Sequence, residues 1–99
     1  MPIPFETKTR AFAKKGDATT FFRAMLNRYR PGDRVSDVDA QDLLALLEHH
    51  TEFSEKTGVG IDHFRVMQNR YGTQSFQIVR IDDSRDDFSY KHCITPKQD

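Results

Sequence analysis

Basic side chains interleaved with aromatic rings are the residues of this sequence best suited to binding chemistry. Cationic side chains contact phosphates and exposed rings stack on bases, so a surface that presents both can bind single-stranded RNA. The residues that we predict for such a surface come from an N-terminal basic stretch and a C-terminal hairpin: Lys14, Lys15, Arg65, Arg70, Tyr71 and Arg80. Because most soluble sheets expose some arginine and lysine, this pattern leaves other functions open.

Histidine and cysteine side chains show no spacing that is typical of a metal site or a catalytic site. His49-His50 and His92-Cys93 are adjacent pairs, and helical neighbours point in different directions, so such a pair does not readily bind one ion. We therefore predict no metal, no cofactor and no catalytic residue, which makes the protein non-enzymatic. We interpret Cys93 as a small buried apolar group. A single cysteine also excludes an intrachain disulfide and suits a reducing compartment.

Two pairs of carboxylates lie close together near the C terminus. A turn flanked by solvated aspartates explains both Asp82-Asp83 and Asp86-Asp87. Asp87 differs from the others because the chain re-enters the core directly after it, so its carboxylate is placed to accept backbone N–H bonds. We predict a structural motif over 87–90. In this motif Asp87 and Ser89 accept backbone N–H bonds, Phe88 anchors in the core, and Tyr90 packs at the end of the sheet.

Charge is balanced overall but not along the chain. Lys and Arg together number 15, as do Asp and Glu. Residues 1–34 hold eight basic and three acidic side chains, a net charge of +5, whereas residues 35–99 hold seven and twelve, a net charge of −5. Either the basic part forms one face that touches phosphate or an acidic partner, or the two halves pack together and their charges interleave.

The length and the apolar pattern predict one domain with no membrane partner. We expect a single domain over 1–99, with its core at about 5–95 and a polar tail at 96–99. No apolar run approaches the roughly 20 residues of a membrane span, and the start lacks the apolar segment of a signal peptide. We therefore expect a cytoplasmic protein without a signal or transit peptide.

Two amphipathic helices are predicted to follow the basic stretch. Asp17 is a suitable N-cap for the first, which Pro31-Gly32 ends and whose apolar residues recur at helical spacing: Ala18, Phe21, Phe22, Met25, Leu26 and Tyr29. Ser36 is the predicted N-cap of the second, with Asp39 at the reciprocal position of a capping box. The buried stripe of this helix comprises Ala40, Leu43, Leu44 and Leu47, widened by Leu46. A further helical turn is expected around Phe53.

An antiparallel meander is predicted after the helices. Strands over 61–69 and 75–81 alternate apolar and polar residues, and 70–74 joins them as a hairpin. Residues 87–90 either add a third short strand or open a final turn, and 5–12 form a short strand or an extended arm. Helices followed by strands predict an α+β fold, in which an N-terminal extended arm precedes two amphipathic helices packed on one face of a small antiparallel sheet.

Four segments, taken in order, resemble the DCL-like family, named for the plant "defective chloroplasts and leaves" protein. The first segment comprises 12–18 together with the helix end Met25-Leu26-Asn27-Arg28-Tyr29, and the second is 39–50. The third is Lys56-Thr57-Gly58-Val59-Gly60-Ile61, and the fourth comprises 76–82 together with 87–94. The resemblance spans about residues 10–95. This chain has Asp82-Asp83 where the family pattern leads us to expect Asp-Gly, so we expect a differently shaped turn there.

The resemblance implies a place in RNA metabolism. Plant members of the family are linked to plastid ribosomal RNA processing, and a similar domain ends the largest subunit of a plant-specific RNA polymerase. The family has no established catalytic residues to carry over. We therefore predict a small accessory domain that binds RNA or a ribonucleoprotein in rRNA processing. The alternative is a protein-interaction module that binds no nucleic acid and uses an exposed apolar patch or an unpaired sheet edge.

Overall fold

The computed structural model describes residues 3–95, and the predicted α+β class is confirmed within them. The strands are β1 (Phe5–Glu6), β2 (Ala11–Phe12), β3 (Ile61–Gln68), β4 (Gln74–Arg80) and β5 (Arg85–Phe88). The helices are α1 (Lys15–Asn27), α2 (Asp37–Leu47), α3 (Phe53–Thr57) and α4 (Tyr90–Ile94). The predicted polar tail at 96–99 lies outside the described residues.

The N-terminal segment, predicted as a short strand or an extended arm, is a small hairpin of two short strands. β1 pairs antiparallel with β2, with Phe5 opposite Phe12. The chain reverses because the hydroxyl of Thr7 accepts the backbone N–H of Arg10 at 3.1 Å, while the N–H of Thr7 donates to the carbonyl of Arg10 at 2.8 Å. A buried polar side chain closes this turn from within, which the strand-like alternation did not reveal.

A buried carboxylate ties this hairpin to α2. Asp42 is only 4% exposed, and it accepts the hydroxyl of Thr9 at 2.7 Å and Nε of Arg10 at 3.1 Å. Buried carboxylates are stable only when they are paired and hydrogen-bonded. The contact therefore fixes the hairpin against the helical part of the core.

The first helix begins two residues before the predicted cap. α1 starts at Lys15 after Lys14, which is extended and makes no side-chain cap bond. Asp17 lies in the first turn instead, where its charge is favourable against the helix dipole. The helix buries the central part of the predicted stripe, namely Ala18, Phe22, Met25 and Leu26.

Ser36 caps α2 as predicted, but Asp39 has a different role. The Ser36 hydroxyl accepts the N–H of Asp39 at 3.3 Å. The N–H of Ser36 donates to the Tyr29 hydroxyl at 3.1 Å, and that hydroxyl donates to the Asp39 carboxylate at 2.6 Å. Burial alone would raise the pKa of Asp39, but these bonds and one from Arg28 lower it. The second half of the capping box is therefore supplied by Tyr29, which follows the end of α1.

The stripe of α2 is rotated slightly from the prediction. Leu43, Leu46 and Leu47 are fully buried, and Ala45 is 4% exposed. Leu44 is 44% exposed, so its assignment to the buried stripe is wrong. In a run of five consecutive apolar residues, Leu43 to Leu47, periodicity alone does not identify the one that faces water.

The sheet has the strand order β3-β4-β5 and a buried face made by matched pairs. Val66, Phe76 and Phe88 lie side by side across the three strands, and Phe64 lies opposite Ile78. All five side chains join the core with α1 and α2. Both alternatives predicted for 87–90 therefore occur, because β5 ends at Phe88 and a final helical turn begins at Tyr90.

The free edge of β3 is covered by residues 32–35. The N–H of Gly32 donates to the Val66 carbonyl at 2.6 Å, and the N–H of Val66 donates to the Asp33 carbonyl at 2.9 Å. The N–H of Val35 donates to the Phe64 carbonyl at 2.9 Å. This pairing satisfies an edge that would otherwise be open to another strand.

The chain between β4 and β5 turns at Asp83, which has a φ of +70°. Glycine adopts this left-handed conformation without strain, and aspartate is one of the few other residues that tolerates it. The N–H of Asp83 donates to the Arg80 carbonyl and the N–H of Arg80 donates to the Ser84 carbonyl, both at 2.8 Å. Asp83 thus takes the backbone conformation that the expected glycine would have supplied.

Helix length bears on the membrane expectation. Among residues 3–95 no helix is long and apolar enough to cross a bilayer. The longest of those described, α1, has 13 residues, against about 20 for a membrane-spanning helix.

Candidate functional site

A groove of about 1190 Å³ opens between α1, the β3–β4 turn and the junction of β5 with α4. Four cationic side chains line it, together with two carboxylates and two histidines: Arg23, Lys56, Arg70, Lys91, Glu52, Asp87, His50 and His92. The charge on this surface is therefore positive, although the whole chain is neutral.

The groove exists because β4 extends beyond β5. β4 begins at Gln74, but its pairing with β5 covers only Phe76 to Val79. Backbone bonds alternate in direction along an antiparallel strand, and the N–H of Arg80 points to the β5 side, where it donates to Ser84. The backbone groups of Gln74 therefore also face that side, where the chain has already turned into α4.

The β3–β4 turn is held rigidly by Asn69. Its carboxamide oxygen accepts the N–H of Tyr71 at 2.9 Å and that of Thr73 at 3.2 Å, while its amide nitrogen donates to the Thr73 hydroxyl at 2.7 Å. Gly72 has a φ of +83°, which the turn requires. As a result Tyr71 is 80% exposed, with the Arg70 guanidinium 5.6 Å from its ring centre.

Gln74 fixes the position of this turn relative to α1. Its side-chain amide donates to the carbonyl of Leu26 at 3.1 Å and to that of Tyr29 at 2.9 Å. Leu26 lies in the last turn of α1 and Tyr29 lies just beyond the helix end. The groove wall that carries Arg23 and the turn that carries Tyr71 are therefore joined directly.

Two histidine rings lie against each other at a tilt inside the groove. The ring centres of His50 and His92 are 4.5 Å apart, at an interplanar angle of 44°. His50 is 8% exposed, and its Nδ1 accepts the backbone N–H of Glu52 at 2.9 Å. Burial lowers the pKa of His50, and the neighbouring His92 and Lys56 lower it further. His50 is accordingly neutral at neutral pH.

Cys93 is no candidate nucleophile. It is 1% exposed, and burial raises the pKa of its thiol to about 12. The reactive form of cysteine is the thiolate, which this position disfavours. In the part of the chain that the structure describes, no three His, Cys, Asp or Glu side chains are grouped so that they could hold a metal ion.

Of the six predicted RNA-contacting residues, the groove brings together only Arg70 and Tyr71. Arg65 lies on the sheet face away from the helices, opposite Gln77 of the neighbouring strand β4. Its Nε donates to His63 at 3.0 Å and a terminal nitrogen donates to the Gly32 carbonyl at 3.1 Å. Arg65 therefore helps to hold residues 32–35 on the edge of β3.

Arg80 is used internally. Its Nε donates to the Lys56 carbonyl at 2.9 Å, and its terminal nitrogens contact the Glu55 carbonyl, the Ser84 hydroxyl and the Asp86 carboxylate at 3.2 to 3.3 Å. Its side chain is only 13% exposed. Arg80 is therefore held in place by its contacts with Glu55, Lys56, Ser84 and Asp86.

Lys14 and Lys15 lie at the opposite end of α1 from the groove. α1 has 13 residues and is therefore about 20 Å long, and Gln74 joins its far end to the β3–β4 turn. Lys8, which belongs to the same basic stretch, pairs with Glu48 at 2.9 Å. The six predicted residues thus do not form one surface.

Sequence reasoning missed Arg23, Lys91 and the stacked histidines as site residues. Arg23 lies off the apolar stripe of α1, which marks it as exposed but not as part of a groove. Lys91 and His92 enter the groove only because α4 begins directly after β5. The residue pattern of one helix or strand does not indicate which other helix or strand it will pack against in the fold.

The motif at 87–90 holds the β5–α4 junction, with one correction. The Ser89 hydroxyl accepts the N–H of His92 at 3.4 Å and caps α4. Asp87 does not cap this turn: its carbonyl accepts Lys56 Nζ at 2.7 Å, and its side chain is exposed beside the groove. Phe88 is 4% exposed and stacks on Phe76 at 5.8 Å, and Tyr90 meets Phe76 edge-on at 6.3 Å.

The structure is a small α+β domain with a positively charged groove. Residues 23–94 match the family model described as "Protein of unknown function (DUF3223)". The chain belongs to this family. The narrower resemblance to the DCL-like family stays a prediction.

Two known proteins are similar to this chain. A solution NMR structure of an uncharacterized protein from Rhodospirillum rubrum is 46% identical, with a TM-score of 0.86, and the match covers 94% of this chain and 89% of that one. DNA-directed RNA polymerase IV subunit 1 of Arabidopsis thaliana is 30% identical over 73 residues. That match covers 73% of this chain but only 5% of the plant subunit.

Proposed function

We propose that this protein is a non-enzymatic accessory domain that binds single-stranded RNA in the groove. The observation that carries the proposal is Tyr71, an 80% exposed ring held at the groove by a rigid turn beside Arg70. Exposed rings on rigid turns stack on unpaired bases, and each stacked base contributes about 1–3 kcal/mol to binding. The likeness to part of an RNA polymerase subunit supports a role near RNA.

The charges of the groove support a polyanionic ligand. Lys56 is already engaged, because its Nζ lies 3.1 Å from the Asp86 carboxylate and 2.7 Å from the Asp87 carbonyl. Arg23, Arg70 and Lys91 are exposed and line the same groove. These three are therefore the side chains that we assign to phosphate contacts.

A single strand fits this arrangement better than a duplex. In A-form RNA the bases are stacked inside the helix and the major groove is too narrow for side chains to read. A ring such as Tyr71 is useful only to a base that is already unpaired. On this proposal the protein acts in the cytoplasm as an accessory factor in RNA metabolism, with ribosomal RNA processing as the candidate context.

Binding of a fluorescent oligouridylate at low salt, measured by anisotropy, tests the proposal. We expect Arg23→Ala, Arg70→Ala and Lys91→Ala each to weaken binding and to reduce the dependence of log Kd on log salt by about 0.7, as for one lost single-strand phosphate contact. Lys14→Ala is the matched control, because it removes a positive charge at the other end of α1. Absence of binding at low salt, or equal losses in Lys14→Ala, would overturn the proposal.

The alternative is a protein-interaction module, which one observation favours. Val59 and Ile81 are 64% and 68% exposed, and the N–H of Ile81 donates to the carbonyl of Gly60. Both exposed side chains belong to residues near the end of β4 that lies away from Tyr71. A partner that survives nuclease treatment and is lost in the double variant Val59→Ser, Ile81→Ser would favour this alternative.

A further inference from the structure

The stacked pair His50–His92 lies inside the basic groove, where an RNA backbone would pass. We propose that this pair is a phosphate-binding position, and that an RNA phosphodiester bound there is accompanied by uptake of one proton by the pair. This inference rests on the proposed RNA-binding function, and it adds a position, a ligand group and a dependence on pH.

Hydrogen bonds determine which ring receives the proton. The Glu52 N–H donates to Nδ1 of His50, so the neutral His50 ring carries its own hydrogen on Nε2. A second hydrogen on His50 would have to displace the Glu52 bond at a site that is only 8% exposed. His92 is partly buried and lines the groove, and its Nε2 lies 2.9 Å from the Thr51 hydroxyl, which can accept a hydrogen bond. The Glu52 bond on His50 therefore leaves His92 as the ring on which our proposal places the added proton.

Burial opposes protonation of His50, and the charges of His92 and Lys56 lower the pKa of His50 further, whereas those of Glu52 and Asp86 raise it. The other charged side chains that line the groove are Arg23 from α1, Arg70 from the β3–β4 turn, Lys91 from α4 and Asp87 from β5. Asp86 is itself shared between Lys56 at 3.1 Å and Arg80 at 3.3 Å, so little of its charge is left for the histidines. His49, the neighbour of His50 in the chain, packs against Phe5 at 4.9 Å and not on the pair.

A phosphodiester in the groove reverses this balance. Its negative charge lies next to the imidazolium and stabilises it, while the Nδ1–H of His92, which is not the nitrogen bonded to Thr51, supplies a charge-assisted hydrogen bond to a phosphate oxygen. Binding and protonation are then linked, so each favours the other by the same free energy. If one proton is taken up, affinity rises by up to about tenfold for each pH unit of acidification.

The test is the affinity for oligouridylate between about pH 5.5 and 8 at constant ionic strength, the range in which histidine titrates. Uridine is chosen because neither its base nor the phosphodiester titrates there. We expect tighter binding at low pH in the native protein and a much flatter profile in His92→Gln. His92→Phe keeps a ring stacked on His50 without a proton site, so it should be equally flat. His49→Gln is the control and should keep the native slope.

The possible outcomes separate this inference from the proposed function. If the oligouridylate binds but His92→Gln keeps the native slope, or the native protein has none, the proton-linked position is wrong and RNA binding stands. If no binding occurs at any pH, the proposed function fails and this inference fails with it.

Imidazole NMR resonances add a direct measurement. Oligouridylate should move the signals of His50 and His92 and leave those of His49 and His63 in place. Inorganic phosphate at the same ionic strength is the comparison. If it reproduces the shifts in full, the position takes free phosphate, and its assignment to the RNA backbone is overturned.

Discussion

The two ends of strand β4 use arginine in opposite ways. At one end Arg80 is 13% exposed, and its guanidinium is bonded to two helix carbonyls, a hydroxyl and a carboxylate. At the other end Arg70 is exposed and lies over the ring of Tyr71. Both arginines belong to the same predicted basic set, yet one stabilises the fold and the other is free to bind a ligand. The difference depends on whether backbone acceptors lie within reach.

The adjoining turns differ in the same sense. α3 ends at Gly58, where a Cβ would lie 3.0 Å from Nε of Arg80, so the absence of a side chain leaves room for the guanidinium. Around Gly72, by contrast, a Cβ would meet nothing within 4 Å. One end of β4 is therefore packed and closed, and the other is open to solvent and ligand.

Removing Arg80 should have the largest effect. Arg80→Ala removes the guanidinium from the carbonyls of Glu55 and Lys56 and leaves Asp86 paired with Lys56 alone, and we expect it to lower the free energy of unfolding by about 2–4 kcal/mol. Urea denaturation measures this. Arg70→Ala is the matched control, since its side chain packs against no core residue, and it should change stability by less than about 0.5 kcal/mol. Similar losses in the two variants would contradict the comparison.

Tyr71 should carry the effect on binding. Tyr71→Ala removes the stacking surface, and we expect affinity for oligouridylate to fall by about 1–3 kcal/mol, or roughly 5- to 150-fold. Tyr71→Phe keeps the ring and should bind nearly as well as the native protein. Neither change should shift the urea midpoint. If Tyr71→Phe lost as much affinity as Tyr71→Ala, the hydroxyl and not the ring face would be the contact.

Gly72 and Asp83 are turn residues with a positive φ, and we expect their substitution to change stability in opposite directions. Gly72 at φ +83° should resist substitution, so Gly72→Ala should destabilise the protein by about 1–2 kcal/mol. Asp83 at φ +70° has the reverse problem, and Asp83→Gly should stabilise it by about 0.5–1 kcal/mol after the greater freedom of the unfolded chain is included. Thermal or urea unfolding of both variants measures the contrast. A destabilising Asp83→Gly would mean that the aspartate side chain holds the turn.

The smallest effect that we expect is a loss of stability in acid, caused by the titration of His50. Its folded-state pKa is lowered by burial, then by His92 and Lys56, whereas the unfolded value is about 6.5. As the pH falls through about 6.5, the unfolded chain binds a proton that the folded protein does not, so the free energy of unfolding decreases. Above this range both states are neutral and the contribution is flat. His50→Asn should reduce this dependence in urea titrations at about pH 7.5 and 5.5, and His49→Asn should not.

Much of the fold could be predicted from local patterns. The strand predicted over 61–69 from its alternating pattern corresponds to β3, and the Ser36 cap was placed correctly, because both depend on residues close in the chain. Leu44 and Asp17 were misassigned, since several neighbouring positions were chemically suitable and packing decided between them.

The site was harder to predict because its residues come from separate elements. Arg80 was identified as basic and placed on the hairpin, but the carbonyls of Glu55 and Lys56 reach it only when α3 packs beside β4. The stacking of His50 on His92 joins residues that are distant in the chain. Composition can suggest that cations and rings are present, but only the tertiary structure decides which of them remain available.

The hydrogen bonds that Asp42 accepts from Thr9 and Arg10 bear on which residues a fragment or fusion of this domain must include. The family match begins at residue 23, inside α1, whereas Phe5, Ala18 and Phe22, which precede that position, belong to the hydrophobic core. A fragment or fusion cut at the family boundary would begin in mid-helix and leave Asp42 without both hydrogen-bond partners. The smallest portable unit therefore includes the N-terminal hairpin, even though sequence similarity alone would place the boundary after it.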